Sequence, residues 1–229
     1  MGRCVGENDE IWTFAMNTDS KNVPIVLLHG FGAGSAFFAM NLENLAKDHP
    51  VYAIDILGFA RSSRPQFSYD PTKIEQQFVD SIERWREVLQ IPKMVLLGHS
   101  FGGFLSSSYA LRFPDRLEHL ICVDPWGYDE APDLQDFPLW KLSFAYSVRL
   151  MVGPFSMIRA FGPFGEWLIK NFRPDLLQKY ESIVDPSIIA KYIYHSNNNS
   201  NPSGEAGKVG KSERESSPDD DDEVIFCSF

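Results

Sequence analysis

Apolar positions in the first half of the chain follow two rhythms. Ile11 to Met16, Val23 to Leu28 and Val51 to Asp55 are short, strand-like runs. Between Pro71 and Pro92 the period changes, and Ile74, Phe78, Ile82, Trp85 and Leu89 recur at helical spacing on one face. Thr72-Lys73-Ile74-Glu75 after Pro71 reads as a capping box that opens this helix, and Pro92 as its stop. Val95 to Leu97 is a further apolar run suited to a strand covered on both faces. Phe101 to Phe113 is helix-competent until Pro114, and Leu117 to Val123 is a fifth strand ending at Asp124-Pro125. Strands alternating with helical crossovers predict an α/β fold with a mostly parallel sheet over residues 8–125.

From Trp126 the texture shifts to aromatics, prolines and short apolar stretches. Helices are expected over Leu139 to Val152, Phe155 to Phe161 and Glu166 to Phe172, so residues 126–195 read as a helical lid inserted after a sheet strand. Lys141, Arg149 and Arg159, with the Gly153-Pro154 and Gly162-Pro163 breaks, exclude a clean membrane-spanning run. The clustered aromatics instead suit a lipid surface or acyl chains. After His195 the sequence turns to Asn, Ser, Gly and charge, and residues 196–229 are expected to be a disordered, solvated tail.

With 44% hydrophobic residues in 229, the chain has ample material for one domain with an inserted subdomain. The net charge is −10, and the tail carries eight acids against three bases, so much of the imbalance lies outside the core. No basic patch or nucleic-acid motif is present, which removes nucleic acid from the expected partners. Cys4, Cys122 and Cys227 share no metal-like or disulfide-like spacing, and no secretory signal is visible; an intracellular, cytoplasmic protein with reduced thiols is expected. Gly6 and the placement of Cys227 argue against myristoyl and prenyl anchors. No cofactor and no metal are expected.

Candidate chemistry centres on Gly98-His99-Ser100-Phe101-Gly102, a G-x-S-x-G turn between a strand and a helix. Such a turn exposes a serine hydroxyl beside the amides of a helix N-terminus, which is the arrangement of a nucleophile elbow. Small residues are needed because the turn is crowded. His29-Gly30-Phe31-Gly32 follows the second strand and offers a second amide, so the Phe31 and Phe101 N–H groups are the candidate oxyanion donors beside a Ser100 nucleophile. His29 reads as a turn-fixing residue, His99 as a side chain packed within the turn, and Asp55 as structural. Ser100 needs an imidazole base oriented by a carboxylate. Asp124, ending the strand after the elbow, is a candidate acid against a structural role. His119 falls at the wrong end of its strand, and His195 closes the lid with no strand after it, so neither is assigned as base; His49 is read as a surface histidine.

From Asn8 to about Glu205 the chain resembles the α/β-hydrolase fold family, and within it the abhydrolase-domain 4/5 subfamily. The resemblance rests on HGFGAG (29–34), DILGFARSSRP (55–65), SIERWREVL (81–89), GHSFGGFL (98–105), VDPWGY (123–128), FRPDL (172–176), YIYH (192–195) and NPSGE (201–205). It implies a lipid-directed serine hydrolase or acyltransferase, acting on phospholipids or lysophospholipids, or transferring an acyl group to lysophosphatidic acid with acyl-CoA as a donor. It also implies peripheral residence on lipid droplets, endoplasmic reticulum or mitochondrial membrane. One branch of the subfamily has Asn at the elbow and activates a triglyceride lipase, so the alternative is a non-catalytic lipid- or lipase-binding regulator; Ser100 sides with the lipase-like branch. Measured against the family, the chain is expected to lack the last two strands, the usual acid, the catalytic histidine and the H-x4-D motif linked to acyl transfer. Activity of these residues is therefore expected to be impaired.

Overall fold

A computed structural model describes residues 9–127, 156–172, 174–198 and 203–206. Its sheet contains β1 (Thr13–Met16), β2 (Ile25–Leu28), β3 (Val51–Ile54), β4 (Met94–His99) and β5 (Leu117–Val123), in the order β1-β3-β2-β4-β5. β1 runs antiparallel to β3, and the remaining pairings are parallel. The mostly parallel α/β sheet expected from the alternation is present. Parallel neighbours require crossovers, supplied by α1 (Ala39–Leu45), α2 (Pro71–Val88) and α3 (Phe101–Arg112). Alternate strand residues face opposite layers. Val26, Leu28, Ile54, Met94 and Leu96 join the cluster built with α2 and α3, while Ile25, Leu27, Val51 and Ala53 meet Leu42 of α1 on the other face.

The start of α2 differs from the expected capping box. Asp70 is the N-cap, its Oδ1 accepting from the Thr72 and Lys73 amides at 3.1 and 3.3 Å. Pro71 fills the first helical position, where its missing N–H costs nothing, so the cap falls on the residue before it and Thr72 lies inside the helix. The far end closes at Val88, leaving Leu89 as a cap that is 42% exposed rather than a core residue. β2 begins at Ile25 rather than Val23, since Pro24 has no amide to donate; its carbonyl accepts from Val95.

A buried ionic cluster joins α2 to α3. Glu83 accepts from Arg86 Nε and Nη2, both at 2.8 Å, and from the Tyr109 hydroxyl at 2.5 Å, while Arg86 also donates to the Ile91 carbonyl. Burial opposes ionisation of Glu83, but its bonds from Arg86 and Tyr109 outweigh that and hold the carboxyl below its ordinary value. Arg112 adds a 2.7 Å ion pair to Asp80 at the rim.

The described helices within the expected lid are α4 (Ser156–Ala160), α5 (Gly165–Phe172), α6 (Pro174–Lys179) and α7 (Pro186–Asn197). Ile169, Leu177, Ala190 and Ile193 form its small core, against which Phe37 of the main body packs. The expected helix over 139–152 falls outside the described residues. The tail expected from residue 196 onward requires correction at its start. Ser196 and Asn197 are buried in the last turn of α7, and Ser203–Ala206 form a 3-10 turn whose Gly204 amide donates to the Gly58 carbonyl at 3.2 Å. Hydrogen bonding seats this polar stretch without a large apolar surface, which is why composition alone misplaces it. Residues 207–229 of that expected tail lie outside the described residues. Among the described residues no helix is long and apolar enough to cross a membrane.

Candidate active site

The elbow sits where β4 meets α3. Ser100 has φ +53° and ψ −116°, a strained conformation for a residue with a side chain. Its backbone is held on both sides: its N–H donates to the Val123 carbonyl at 3.0 Å, and its carbonyl accepts from Phe104 at 3.1 Å and Trp126 at 3.0 Å. A Cβ on Gly98 would meet the Gly102 carbonyl and the Ser106 hydroxyl, and one on Gly102 would meet the Leu28 carbonyl. Both glycines are therefore required by close approach. Ser100 occupies the N-cap position of α3, yet its hydroxyl makes no capping hydrogen bond.

The loop after β2 lies against the elbow. A Cβ on Gly30 would come within 3.2 Å of Ser100 Cβ and 3.1 Å of His99 Nδ1. The Phe101 N–H is at the first helical position, where no intrahelical acceptor exists. Phe31 and Phe101 pack edge to face at 5.9 Å, and Phe59 and Trp126 close around both, at 5.3 and 5.5 Å from Phe31 and 5.9 and 5.8 Å from Phe101. Ser100, Phe31 and Phe101 are thus brought together on one aromatic floor. Their strands emerge side by side, as β2 pairs directly with β4.

His29 is committed to the loop. Its Nε2 accepts from the Ile56 amide at 2.9 Å, which leaves Nδ1–H to donate to the Gly30 carbonyl at 2.7 Å. Burial holds its imidazole below the ordinary value, keeping it neutral. Asp55 is equally structural, accepting from the Ser35 amide at 2.6 Å and the Arg61 amide at 3.2 Å. These bonds tie the two loops after β2 and β3 together at the carboxyl ends of the strands, where an α/β sheet forms its crevice.

His99 is exposed rather than packed within the turn. Desolvation of its ring still lowers its pKa, with Lys179 adding to that and the Asp124 carboxylate pulling the other way. Asp124 follows β5 with φ +46° and is exposed. His119 on β5 and His195 on α7 are exposed, and His49 bonds the Val23 carbonyl at 2.8 Å. None of them hydrogen-bonds Ser100 among the described residues. A cavity of about 560 Å³ lined by Trp12, Arg61, Arg84 and Trp85 lies beside β1 and does not include Ser100. Among the described residues no group of three His, Cys, Asp or Glu side chains is placed to hold a metal.

Sequence reasoning missed Phe59, Arg64, Trp126 and Asn197. The Phe59 and Trp126 rings lay within motifs following β3 and β5, so strand-end position was the available signal. Asn197 continues the buried helical face of Ala190 and Ile193, a register legible from spacing of three and four.

Residues 23–156 match the alpha/beta hydrolase fold family. The chain is 46% identical over 207 residues to the 1-acylglycerol-3-phosphate O-acyltransferase ABHD5 of Rattus norvegicus, covering 88% of this chain and 58% of that protein. It is 43% identical over 202 residues to the (lyso)-N-acylphosphatidylethanolamine lipase of Homo sapiens, covering 86% of this chain and 58% of that one. The chain thus spans less than two thirds of the length of these relatives. Among solved structures, the enol-lactonase of Burkholderia xenovorans LB400 superimposes with a TM-score of 0.62 at 18% identity, over 91% of this chain and 72% of the other. An epoxide hydrolase of Bacillus megaterium gives 0.66 at 17%, over 88% and 69%; at these identities the likeness is one of fold.

Proposed function

Since the chain belongs to the alpha/beta hydrolase fold family, we propose that it is built as a lipid-directed serine hydrolase or acyltransferase whose nucleophile is Ser100. The observation that carries this is the left-handed Ser100 backbone between β4 and α3, with the Gly30–Phe31 loop against it. Ser100 Oγ attacks the acyl carbonyl of a phospholipid or lysophospholipid, and the carbonyl oxygen gathers negative charge against the Phe31 and Phe101 amides. Each such donor is worth about 3 kcal/mol of barrier. Collapse of the tetrahedral intermediate breaks the ester or amide bond and expels the alcohol or amine. Water then releases the acid; in the transfer reaction Ser100 instead attacks the thioester of acyl-CoA, the C–S bond breaks to expel the CoA thiol, and the hydroxyl of lysophosphatidic acid takes the acyl group from the serine, which regains its proton. The names of the two relatives, an acylglycerol-phosphate acyltransferase and an N-acylphosphatidylethanolamine lipase, support this substrate class.

Attack needs a base for the Ser100 proton, with Asp124 as the candidate acid behind it. His29 is committed elsewhere and no other imidazole hydrogen-bonds Ser100 among the described residues. Turnover by these residues is accordingly expected to be about 10⁴-fold to 10⁶-fold below that of a complete triad. The same observation favours a second reading, a non-catalytic regulator that binds lipid or a lipase partner through the same cleft. Phe161, Phe164 and Trp167, at 43, 68 and 57% exposure, form an aromatic edge on the lid suited to peripheral contact with a lipid droplet, endoplasmic reticulum or mitochondrial membrane.

A fluorophosphonate probe separates the readings. The purified chain should label, slowly, at Ser100, and Ser100→Ala should abolish the signal. A protein that is folded by circular dichroism and stays unlabelled would exclude the enzyme and leave the regulator.

A further inference from the structure

Two loops frame the cleft, 29–34 and 55–65, and both are gripped by the last turn of the lid. Asn197 is 6% exposed, and its side-chain amide donates to the Gly32 carbonyl at 2.8 Å, across 165 residues, and to Ile193 of its own helix at 2.9 Å. One residue earlier, the Ser196 carbonyl accepts from Arg64 Nη2 at 2.9 Å, and the same guanidinium donates to the carbonyls of Gly58 at 2.8 Å and Ala60 at 3.2 Å. Gly58 also receives the Gly204 amide. Gly32 and Gly58 both lie at positive φ, +71° and +87°, so each grip falls on a turn that glycine leaves free to swing.

The Phe31 amide belongs to the first peptide of the gripped turn, which the Ala33 amide closes onto the Gly30 carbonyl at 3.1 Å. From beneath, His29 fixes the loop through Gly30 and Ile56. From above, α7 reaches Gly32 through the Asn197 side chain. We propose that Asn197 is a positioning residue that sets the Phe31 amide in the oxyanion hole and makes its placement depend on the seating of the lid. The proposal rests on the hydrolase reading above. Lid displacement breaks the Asn197–Gly32 bond, releases the turn and disperses the two oxyanion donors; reseating restores them. Asn suits the task because its two donors satisfy two carbonyls at once, whereas an Asp there would set a carboxylate against both.

The test uses the full chain as wild type, Asn197→Asp, Asn197→Ala and Lys191→Ala, the last on the exposed face of α7. Fluorophosphonate labelling gives the maximal rate separately from the probe concentration at half-rate, and hydrogen exchange reports residues 29–34 against β2, β4 and α3. The expected result is a tenfold or greater fall in maximal rate for Asn197→Asp and Asn197→Ala, with the half-rate concentration within twofold. Faster exchange should be confined to 29–34, and Lys191→Ala should match wild type. Unchanged rates in the Asn197 variants, or exchange accelerated across the whole sheet, would overturn the positioning role. If wild type does not label, the hydrolase reading fails instead, and exchange alone decides the latch: selective loss of protection at 29–34 upholds it and unaltered protection removes it.

Discussion

Ser100 is held where a side chain is unwelcome. Its positive φ costs on the order of 1–3 kcal/mol, offset by the three main-chain bonds that pin it and by the packed glycines around it. Ser100→Gly should therefore raise unfolding stability by about 1 kcal/mol, read as a higher urea midpoint at unchanged slope, while eliminating fluorophosphonate labelling. Ser100→Ala should lose labelling without that gain, since alanine carries the same Cβ. Equal midpoints for Gly and Ala would mean that the backbone is not strained. This residue was legible in the sequence because strand, G-x-S-x-G and helix occur in one uninterrupted run. Asn197 was legible only as a position on the buried face of α7, since its bond to a carbonyl 165 residues away has no local mark. His99 was misjudged for a related reason: a position inside a tight turn says little about which way its side chain leaves.

At the level of elements, α2 and α3 are locked by Glu83, Arg86 and Tyr109 as well as by apolar contact. Removing one partner of a buried ion pair leaves the other without compensation, so Glu83→Gln should cost about 3 kcal/mol at pH 7. The sign with pH follows from the lowered carboxyl value: the stabilisation is complete above the ordinary value of 4.5 and is lost as pH falls through the depressed folded value. Denaturation curves for wild type and Glu83→Gln should accordingly be well separated at pH 7 and converge in acid below about 4.5; a constant gap would show that the Glu83 charge is not what the cluster uses. The existence and type of α2 could be read from its apolar spacing. Its true cap was easily confused with a capping box two residues inward, because Asp70 and Thr72 are both good capping residues and only the position of Pro71 decides between them.

For the molecule as a whole, apolar runs give way to aromatic and proline-rich sequence at Trp126, and among the described residues beyond it the elements are helical, α4 to α7 and short 3-10 turns. The seam was harder to read: it combines polar bonds at 196–204 with the packing of Phe37 on the core of α5 to α7, where the Tyr180 hydroxyl also donates to the Phe37 carbonyl at 2.7 Å. Such a joint leaves the outer surface of these helices to other partners, and among the described residues of 156–206 Phe164 and Trp167 are the most exposed aromatics. Burying each ring in a lipid interface is worth roughly 1.5 kcal/mol, enough in pairs to carry peripheral binding. Phe164→Ser with Trp167→Ser should therefore reduce pelleting with vesicles of phosphatidylcholine and phosphatidic acid about a hundredfold in affinity, with labelling of Ser100 by a water-soluble probe unchanged. Pelleting equal to wild type would remove the aromatic edge as a lipid contact, because neither ring supports the lid core and no other effect of their loss would compensate. The lid would then be only the clamp on the oxyanion loop, and its exposed aromatics would have to face a protein.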